Sequence, residues 1–436
     1  MFSTAVINNG NKIGIRHGSL LDFVRQALLF GCAFLAPYGS GLQNIAGFDI
    51  AKLFPLCAVG LIMYWLVFKR RRFDAFPHTF NLFLLYTIIH TCIVYGIFYR
   101  EEFAFGYTIA AITTDGFVIA HDLLGNIVVK FFLFAGFAYA TASLLRNKRE
   151  LVRLSLFYAF GIFTSFILGT HVDDSVGSVV RSTGGFLNPN SLGFSAMVAT
   201  FLSLSVVRCH EANRMEKNIA IGLLIFSLYA LVKSVARSSI LSTGFGLIVM
   251  IVLEPMNKKI RMIAILCVVG ASLTIFLPSI VSESVQERFN PDYIKSTEYG
   301  MRLPIFIDYL NQWPSYIVQG VGYGRAIEVT KRSYMTRELW IPHNTYLVVL
   351  VEFGSLGLLL FLSLMWSLWR RIIPSKQARF RLSAGTAYAG LLAACAIFFF
   401  VGTYATREFW LCWAILAVYG RWTVQAHIKT SYTKVN

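Results

Sequence analysis

The chain has 436 residues and a formal charge of +17, with 56% hydrophobic, 15% aromatic and only 14% charged side chains. Apolar stretches of about 20 residues recur from end to end, which excludes a soluble globular enzyme and indicates an all-α polytopic membrane protein. The surplus Lys and Arg sit in short loops between apolar segments, where topology alone requires them, and nucleic-acid binding is set aside on that ground.

Lys12 and Arg16 precede the first apolar run near Leu20 without a small-residue cleavage site, so the first helix is read as retained. Hydropathy predicts twelve transmembrane helices, near 20–40, 50–68, 79–98, 124–145, 151–170, 189–207, 218–236, 238–254, 262–281, 343–369, 383–402 and 408–420. Alternate turns then fall on Lys69-Arg70-Arg71-Arg72, Arg146-Asn147-Lys148-Arg149, Arg208 to Lys217, Lys258-Lys259 with Arg261, and Arg370 to Arg381. Five successive basic loops on one side fix the parity: both termini are expected in the cytoplasm, with Arg421, Lys429 and Lys434 in the tail. All seven cysteines lie in predicted spans or cytoplasmic loops, with no disulfide framework and no CxxC metal site.

The expected organisation is nine helices over 1–281, an outer subdomain over 282–342, and three helices with a cytoplasmic tail over 343–436. The subdomain opens with Glu283, Glu287, Arg288 and Asp292, passes through an apolar helical pattern over Met301–Leu310, and reaches Gly320, Gly322 and Gly324. This reads as an amphipathic helix on the membrane followed by a glycine-rich turn.

Arg181, Arg237, Arg302 and His343 fall on the outer side, against the usual retention of cations inside. A group of cations at outer helix ends suits an anionic substrate. Asn188-Pro189-Asn190 is a strong helix start, and with the preceding Gly184 and Gly185 it exposes amide donors to phosphate oxygens that Arg181 can supplement. The plainer alternative is a cap beside a loop arginine. Arg237 lies in Ser234-Val235-Ala236-Arg237-Ser238-Ser239, a join with almost no loop that can hold a guanidinium for a bidentate grip on diphosphate, where the alternative is snorkelling to lipid phosphate. Arg302 sits on the amphipathic stretch, where an exposed polar face explains it equally. His343, with Asn344, Thr345 and Tyr346 after Pro342, can take up and return a proton near neutral pH. Glu352 lies nine residues further on, about 13 Å deeper, and is read as balancing Lys130 or Lys233 or organising the bundle.

In their order and outer placement, four elements resemble the O-antigen ligase and oligosaccharide repeat-unit polymerase superfamily. They are Gly184-Gly185-Phe186-Leu187-Asn188-Pro189-Asn190, the Ala236-Arg237-Ser238 turn, the Arg302 stretch leading to Gly320-Val321-Gly322-Tyr323-Gly324, and His343-Asn344-Thr345-Tyr346-Leu347 with Glu352, Gly354 and Gly357. The resemblance implies a C-type (GT-C) membrane glycosyltransferase acting on the periplasmic side without nucleotide sugar, metal or other cofactor. Its donor would be a glycan on undecaprenyl diphosphate and its acceptor lipid A-core or a second lipid-linked glycan, both met within the membrane lipids. Carried over by motif, Arg237 and Arg302 would bind the diphosphate, with Arg181 as a third cation, and His343 would be the base for the acceptor hydroxyl. Asn188, Asn190, Asn344, Tyr346 and Glu352 would support them. The family's outer turn usually reads Ser-Arg, whereas Ala236 precedes Arg237 here. A ligase is slightly preferred to a polymerase on the His-Asn-Thr-Tyr-Leu start. A lipid-linked oligosaccharide flippase is the reading from another class; it would need charge along a transbilayer path and paired broken helices, whereas midmembrane charge here is chiefly Lys130 and Glu352.

Overall fold

The computed structural model describes residues 20–38, 53–68, 76–98, 108–112, 118–168, 189–256, 258–260, 263, 299–326, 329, 344–373, 384–398 and 407–435. Helices α1 (Leu20–Leu35), α2 (Leu53–Phe68) and α3 (His78–Phe98) are followed by strands β1 (Thr108–Ile112) and β2 (Val118–Asp122). Next come α4 (Leu123–Leu144), α5 (Lys148–Leu168), α6 (Pro189–Arg208), α7 (Arg214–Lys233) and α8 (Arg237–Leu253). After α9 (Tyr299–Asn311) and a 3-10 turn at Trp313–Ser315, the chain ends with α10 (Thr345–Ile372), α11 (Gly385–Phe398) and α12 (Arg407–Val435).

Helices therefore stand at eleven of the twelve expected positions, and the expected span 262–281 lies outside the described residues except for Ile263. Among the described residues, α5, α6 from Asn190, α7 and α10 are each long and apolar enough to cross a membrane, and shorter apolar helices accompany them. This is an integral membrane protein by that measure. Two features differ in detail from the sequence reading. The expected last span closes at 420, but α12 continues to Val435, since Gly420 is the only weak helix former before the tail and nothing there forbids the next turn. The outer segment 99–123 contains an antiparallel hairpin, with Ile112 opposite Val118 and Thr108 opposite Asp122.

One end of the bundle is held together by ion pairs that cross between helices. Arg25 of α1 is fully buried and grips both carboxylate oxygens of Glu150, at 2.7 and 3.1 Å, while its Nη1 also donates to the Leu144 carbonyl at 2.8 Å. Asp22 takes Arg25 at 3.0 Å and Arg146 at 2.6 Å. Lys148 reaches Glu211 at 2.9 Å, Arg208 pairs with Glu254, and Thr386 donates to Glu254 at 2.6 Å. The basic turns that set the parity are thus joined to one another at one end of the bundle. Local signals fix where these helices begin: Asn213 and Glu216 form a reciprocal capping box at the start of α7.

Between the ends, small residues bring backbones close, as expected where lipid is as apolar as the helices and packing must supply the attraction. A Cβ on Gly246 of α8 would lie 2.5 Å from the Gly390 carbonyl oxygen of α11 and 2.9 Å from the Ala394 Cβ. This contact sets α8 closely against α11. A large apolar cluster unites the bundle, and a smaller one under α9 joins Ile305, Tyr309, Tyr316, Ala326 and Val329 to Leu347, Val348 and Val351 at the start of α10.

Candidate functional site

Arg237 is the first residue of α8, two residues beyond a tight reversal. Helix α7 closes with the Ser234 amide donating to the Ala230 carbonyl at 2.9 Å and the Val235 amide to the Val232 carbonyl at 3.0 Å. Val235 then takes φ of +50°, and it is the only non-glycine residue with positive φ among the described residues. For a β-branched side chain that conformation costs on the order of 1–3 kcal/mol and persists only where neighbours impose it. Ala236 follows extended, with φ −82° and ψ 94°, and α8 begins without a side-chain cap. Its first-turn amides and the Arg237 guanidinium together offer donors to an anion at a positive helix end. The guanidinium is half-buried, with Nε and Nη2 shielded from solvent.

The helix that begins at Asn-Pro-Asn packs directly against this reversal. A Cβ on Gly193 of α6 would lie 2.5 Å from Ser239 Oγ, 2.7 Å from Ala236 Cβ and 2.9 Å from Ser234 Oγ. Two motifs separated by some 40 residues of sequence therefore meet at the bare face of one glycine. Pro189 opens α6 as a residue pre-set for the first helical position, and Asn190 is half-buried in that first turn. The hydroxyl that Ala236 lacks is supplied from two residues earlier: Ser234 Oγ donates to the Leu231 carbonyl at 2.7 Å and accepts the Ala236 amide at 3.3 Å. Arg181 and Asn188 lie outside the described residues.

The start of α10 is joined to α11. Asn344 caps α10 by accepting the Leu347 amide at 3.1 Å. Two residues on, the Tyr346 hydroxyl donates to the Ala396 carbonyl near the C-terminal end of α11 at 2.8 Å. His343, which precedes Asn344 in the chain, lies outside the described residues.

Glu352 sits two residues before a break in α10 and is 2% exposed. Gly354 has φ +69° and ψ −173°, a region essentially reserved for glycine. The break frees carbonyls within the apolar zone, and the glycine-rich segment takes them. The Val321 amide donates to the Val351 carbonyl at 2.8 Å and the Gly322 amide to the Glu352 carbonyl at 2.9 Å, while Ser355 donates back to the Ile317 carbonyl at 2.7 Å. Tyr86 of α3 covers the Phe353 carbonyl at 2.7 Å, and His90 of α3 bonds the Gln319 carbonyl. Gly320, Gly322 and Gly324 all have positive φ. At Gly320 the requirement is also spatial, since a Cβ there would come within 2.6 Å of the Glu352 carbonyl carbon. It is the backbone carbonyl of Glu352, rather than its carboxylate, that these contacts engage. Of the two lysines considered as its counterions, Lys233 rests 5.8 Å from the centre of the Tyr229 ring, and the side chain of Lys130 is not described.

Arg302 lies in the first turns of α9, and its side chain is not described. By helical spacing, position 302 shares a face with 305 and 309, the positions whose side chains pack against Leu347, Val348 and Val351.

Sequence reasoning missed three features. Arg407, the first residue of α12, stacks its guanidinium 4.8 Å from the centre of the Phe54 ring, at the start of α2. Arg325, which follows the glycine-rich turn, is 2% exposed. The hairpin had a readable signal, Asp115-Gly116 between two runs rich in Ile, Val and Ala. Arg325 had none, because burial of a loop arginine depends on the fold of the subdomain around it.

Residues 222–362 match the family model described as O-Antigen ligase. The match covers Arg237, Arg302, His343, Asn344, Tyr346 and Glu352, and begins after Arg181, Asn188 and Asn190. None of the curated proteins matches the chain.

Proposed function

We infer, from the match of residues 222–362 to the O-antigen ligase family model, that this chain belongs to the O-antigen ligase and oligosaccharide repeat-unit polymerase superfamily and is a GT-C-type glycosyltransferase moving a glycan from undecaprenyl diphosphate to an acceptor hydroxyl on the periplasmic side of the inner membrane. The observation that carries this reading is the immobilised reversal before α8, which holds Arg237 at an uncapped helix start against the helix of Asn190. Departure of a lipid diphosphate develops negative charge. Preorganised donors in a partly dry site stabilise that charge without reorganising during the reaction.

In this mechanism Arg237 and the first amides of α8 hold the diphosphate, Arg302 reaches it from α9, and Arg181 adds a third cation from the loop before α6. His343 takes the proton from the acceptor hydroxyl as that oxygen attacks the anomeric carbon, and attack on the face opposite the departing diphosphate inverts the anomeric configuration. Asn188, Asn190, Asn344 and Tyr346 position the helix starts that bear these groups, and Glu352 organises the broken helix beneath them. The acceptor is lipid A-core in the ligase reading, which the His-Asn-Thr-Tyr-Leu start slightly favours. A polymerase would run the same chemistry on a second lipid-linked glycan.

The test is complementation of a deletion strain with Arg237→Ala, Arg302→Ala and His343→Ala, each checked for membrane insertion. Each variant is expected to abolish glycan transfer. Near wild-type transfer by all three would overturn the site. Product on lipid A-core identifies a ligase, and a ladder extending on undecaprenyl diphosphate identifies a polymerase.

A further inference from the structure

The segment that carries Arg237 is held from three directions. Val235 adopts a left-handed backbone that its β-branched side chain disfavours, Ser234 ties the end of α7 to the amide of Ala236, and Gly193 lets α6 close on the turn with no intervening atom. Ser234, Val235, Ala236 and Ser239 are all buried, so the turn is enclosed rather than exposed to water. A loop that merely joined two helices would relax to an unstrained turn, with glycine at the left-handed position. This one keeps valine there, one residue away from a buried N-cap and two from the guanidinium.

We propose that Gly193, Ser234 and Val235 are positioning residues that together fix the direction of the Arg237 guanidinium toward the diphosphate of the donor. The inference rests on the reading of Arg237 as a diphosphate ligand and adds which residues make that ligand effective. A guanidinium at the end of a long side chain grips two phosphate oxygens only when its base is fixed, and misplacement by about 1 Å costs roughly 100-fold in such sites. Adding a Cβ at Gly193 displaces the turn, because the atoms it meets belong to short buried side chains with nowhere to swing. Removing the Ser234 hydroxyl unties the Ala236 amide, and glycine at 235 relieves the strain but opens many further backbone conformations to the turn, which widens the range of positions of the residue that follows.

The experiment compares Gly193→Ala, Ser234→Ala and Val235→Gly with Gly222→Ala, a helix position with nothing within 4 Å of an added Cβ. Purified full-length protein in detergent is assayed for the Michaelis constants of the lipid-diphosphate donor and of the acceptor, for inhibition by inorganic pyrophosphate, and for melting temperature. Each of the three variants is expected to raise the donor KM and the pyrophosphate inhibition constant by roughly 10–100-fold. Acceptor KM and the melting temperature of Ser234→Ala and Val235→Gly should stay near wild type, as should every property of Gly222→Ala. In an Arg237→Lys background, Ser234→Ala should add little, because the group it positions is already changed. Folded Ser234→Ala and Val235→Gly with wild-type donor KM, beside an Arg237→Ala variant that has lost transfer, would overturn the positioning role and leave the site intact. Wild-type donor KM in Arg237→Ala would instead overturn the reading of the site itself.

Discussion

Substituting Gly354 with alanine tests the construction of α10 most directly. The residue holds φ +69° and ψ −173°, and an added Cβ would run into the Val318 carbonyl, 2.9 Å from its carbon and 3.1 Å from that of Gln319. Backbone strain of this kind costs on the order of 1–3 kcal/mol. Displacing residues 317–322 also loosens the three backbone hydrogen bonds between them and residues 351–355, each worth about 0.5–1.5 kcal/mol net. Together these terms destabilise the fold by about 2.5–7.5 kcal/mol. The measurement is thermal unfolding in detergent followed by size-exclusion fluorescence, with Gly222→Ala as the reference. Gly354→Ala should melt on the order of 5–10 °C below wild type, whereas Gly222→Ala should melt at or slightly above it, since alanine is the better helix former. Equal melting of Gly354→Ala and wild type would refute the claim that the glycine-rich segment clamps the break.

Three further outcomes follow from other parts of the molecule. Glu150→Ala leaves Arg25 buried without its bidentate partner and should cost about 3–5 kcal/mol, read as loss of folded protein in membranes; wild-type yield and melting would show that water reaches the guanidinium. Gly246→Leu should prevent α8 and α11 from meeting and abolish a monodisperse detergent peak, while Gly246→Ala should cost about 1–3 kcal/mol by overpacking; a monodisperse leucine variant would exclude that close contact. In the α6–α7 turn, burial, then the hydrogen bond to Glu211, pushes the Cys209 thiol up to about 11. Maleimide labelling of Cys209, measured with the other cysteines replaced, should be slow at pH 7 and rise steeply toward about pH 11; Glu211→Gln should speed it, and fast labelling at pH 7 would contradict the buried, acid-paired thiol. Burial also acts to raise the Glu211 carboxyl, but hydrogen bonds from Cys209 and Lys148 outweigh it and hold the group below its usual 4.5. The small stabilisation from that pairing is therefore present above pH 4.5 and is lost only as pH falls through the lower folded value.

Periodicity and charge made the helices legible because each signal is local. A run of apolar side chains must be helical in lipid, and the Lys and Arg clusters at 146–149 and 208–217 fall at the ends that Arg25, Glu150, Lys148 and Glu211 join. The positive-φ glycines at 320, 322 and 324 were readable as a turn for the same reason. What they grip was not, because Gly354 looks like an ordinary small residue in an apolar run until its partner carbonyls are seen. Likewise Arg237 was evident as a cation at a tight join, whereas the strain at Val235 and the approach of Gly193 arise only when α6 meets α8.

The broken helix also constrains how the protein is made. Residues 317–322 precede α10 in the chain, so they are synthesised, and on the topology read here already exported, before the helix they complete leaves the ribosome. The carbonyls of Val351 and Glu352 can then take the amides of Val321 and Gly322, already made, and neither is left bare in hydrocarbon. Moving this segment to follow α10, by circular permutation, would deliver the helix to the bilayer before its partner existed, and biogenesis would stall there even though the finished fold contained the same contacts.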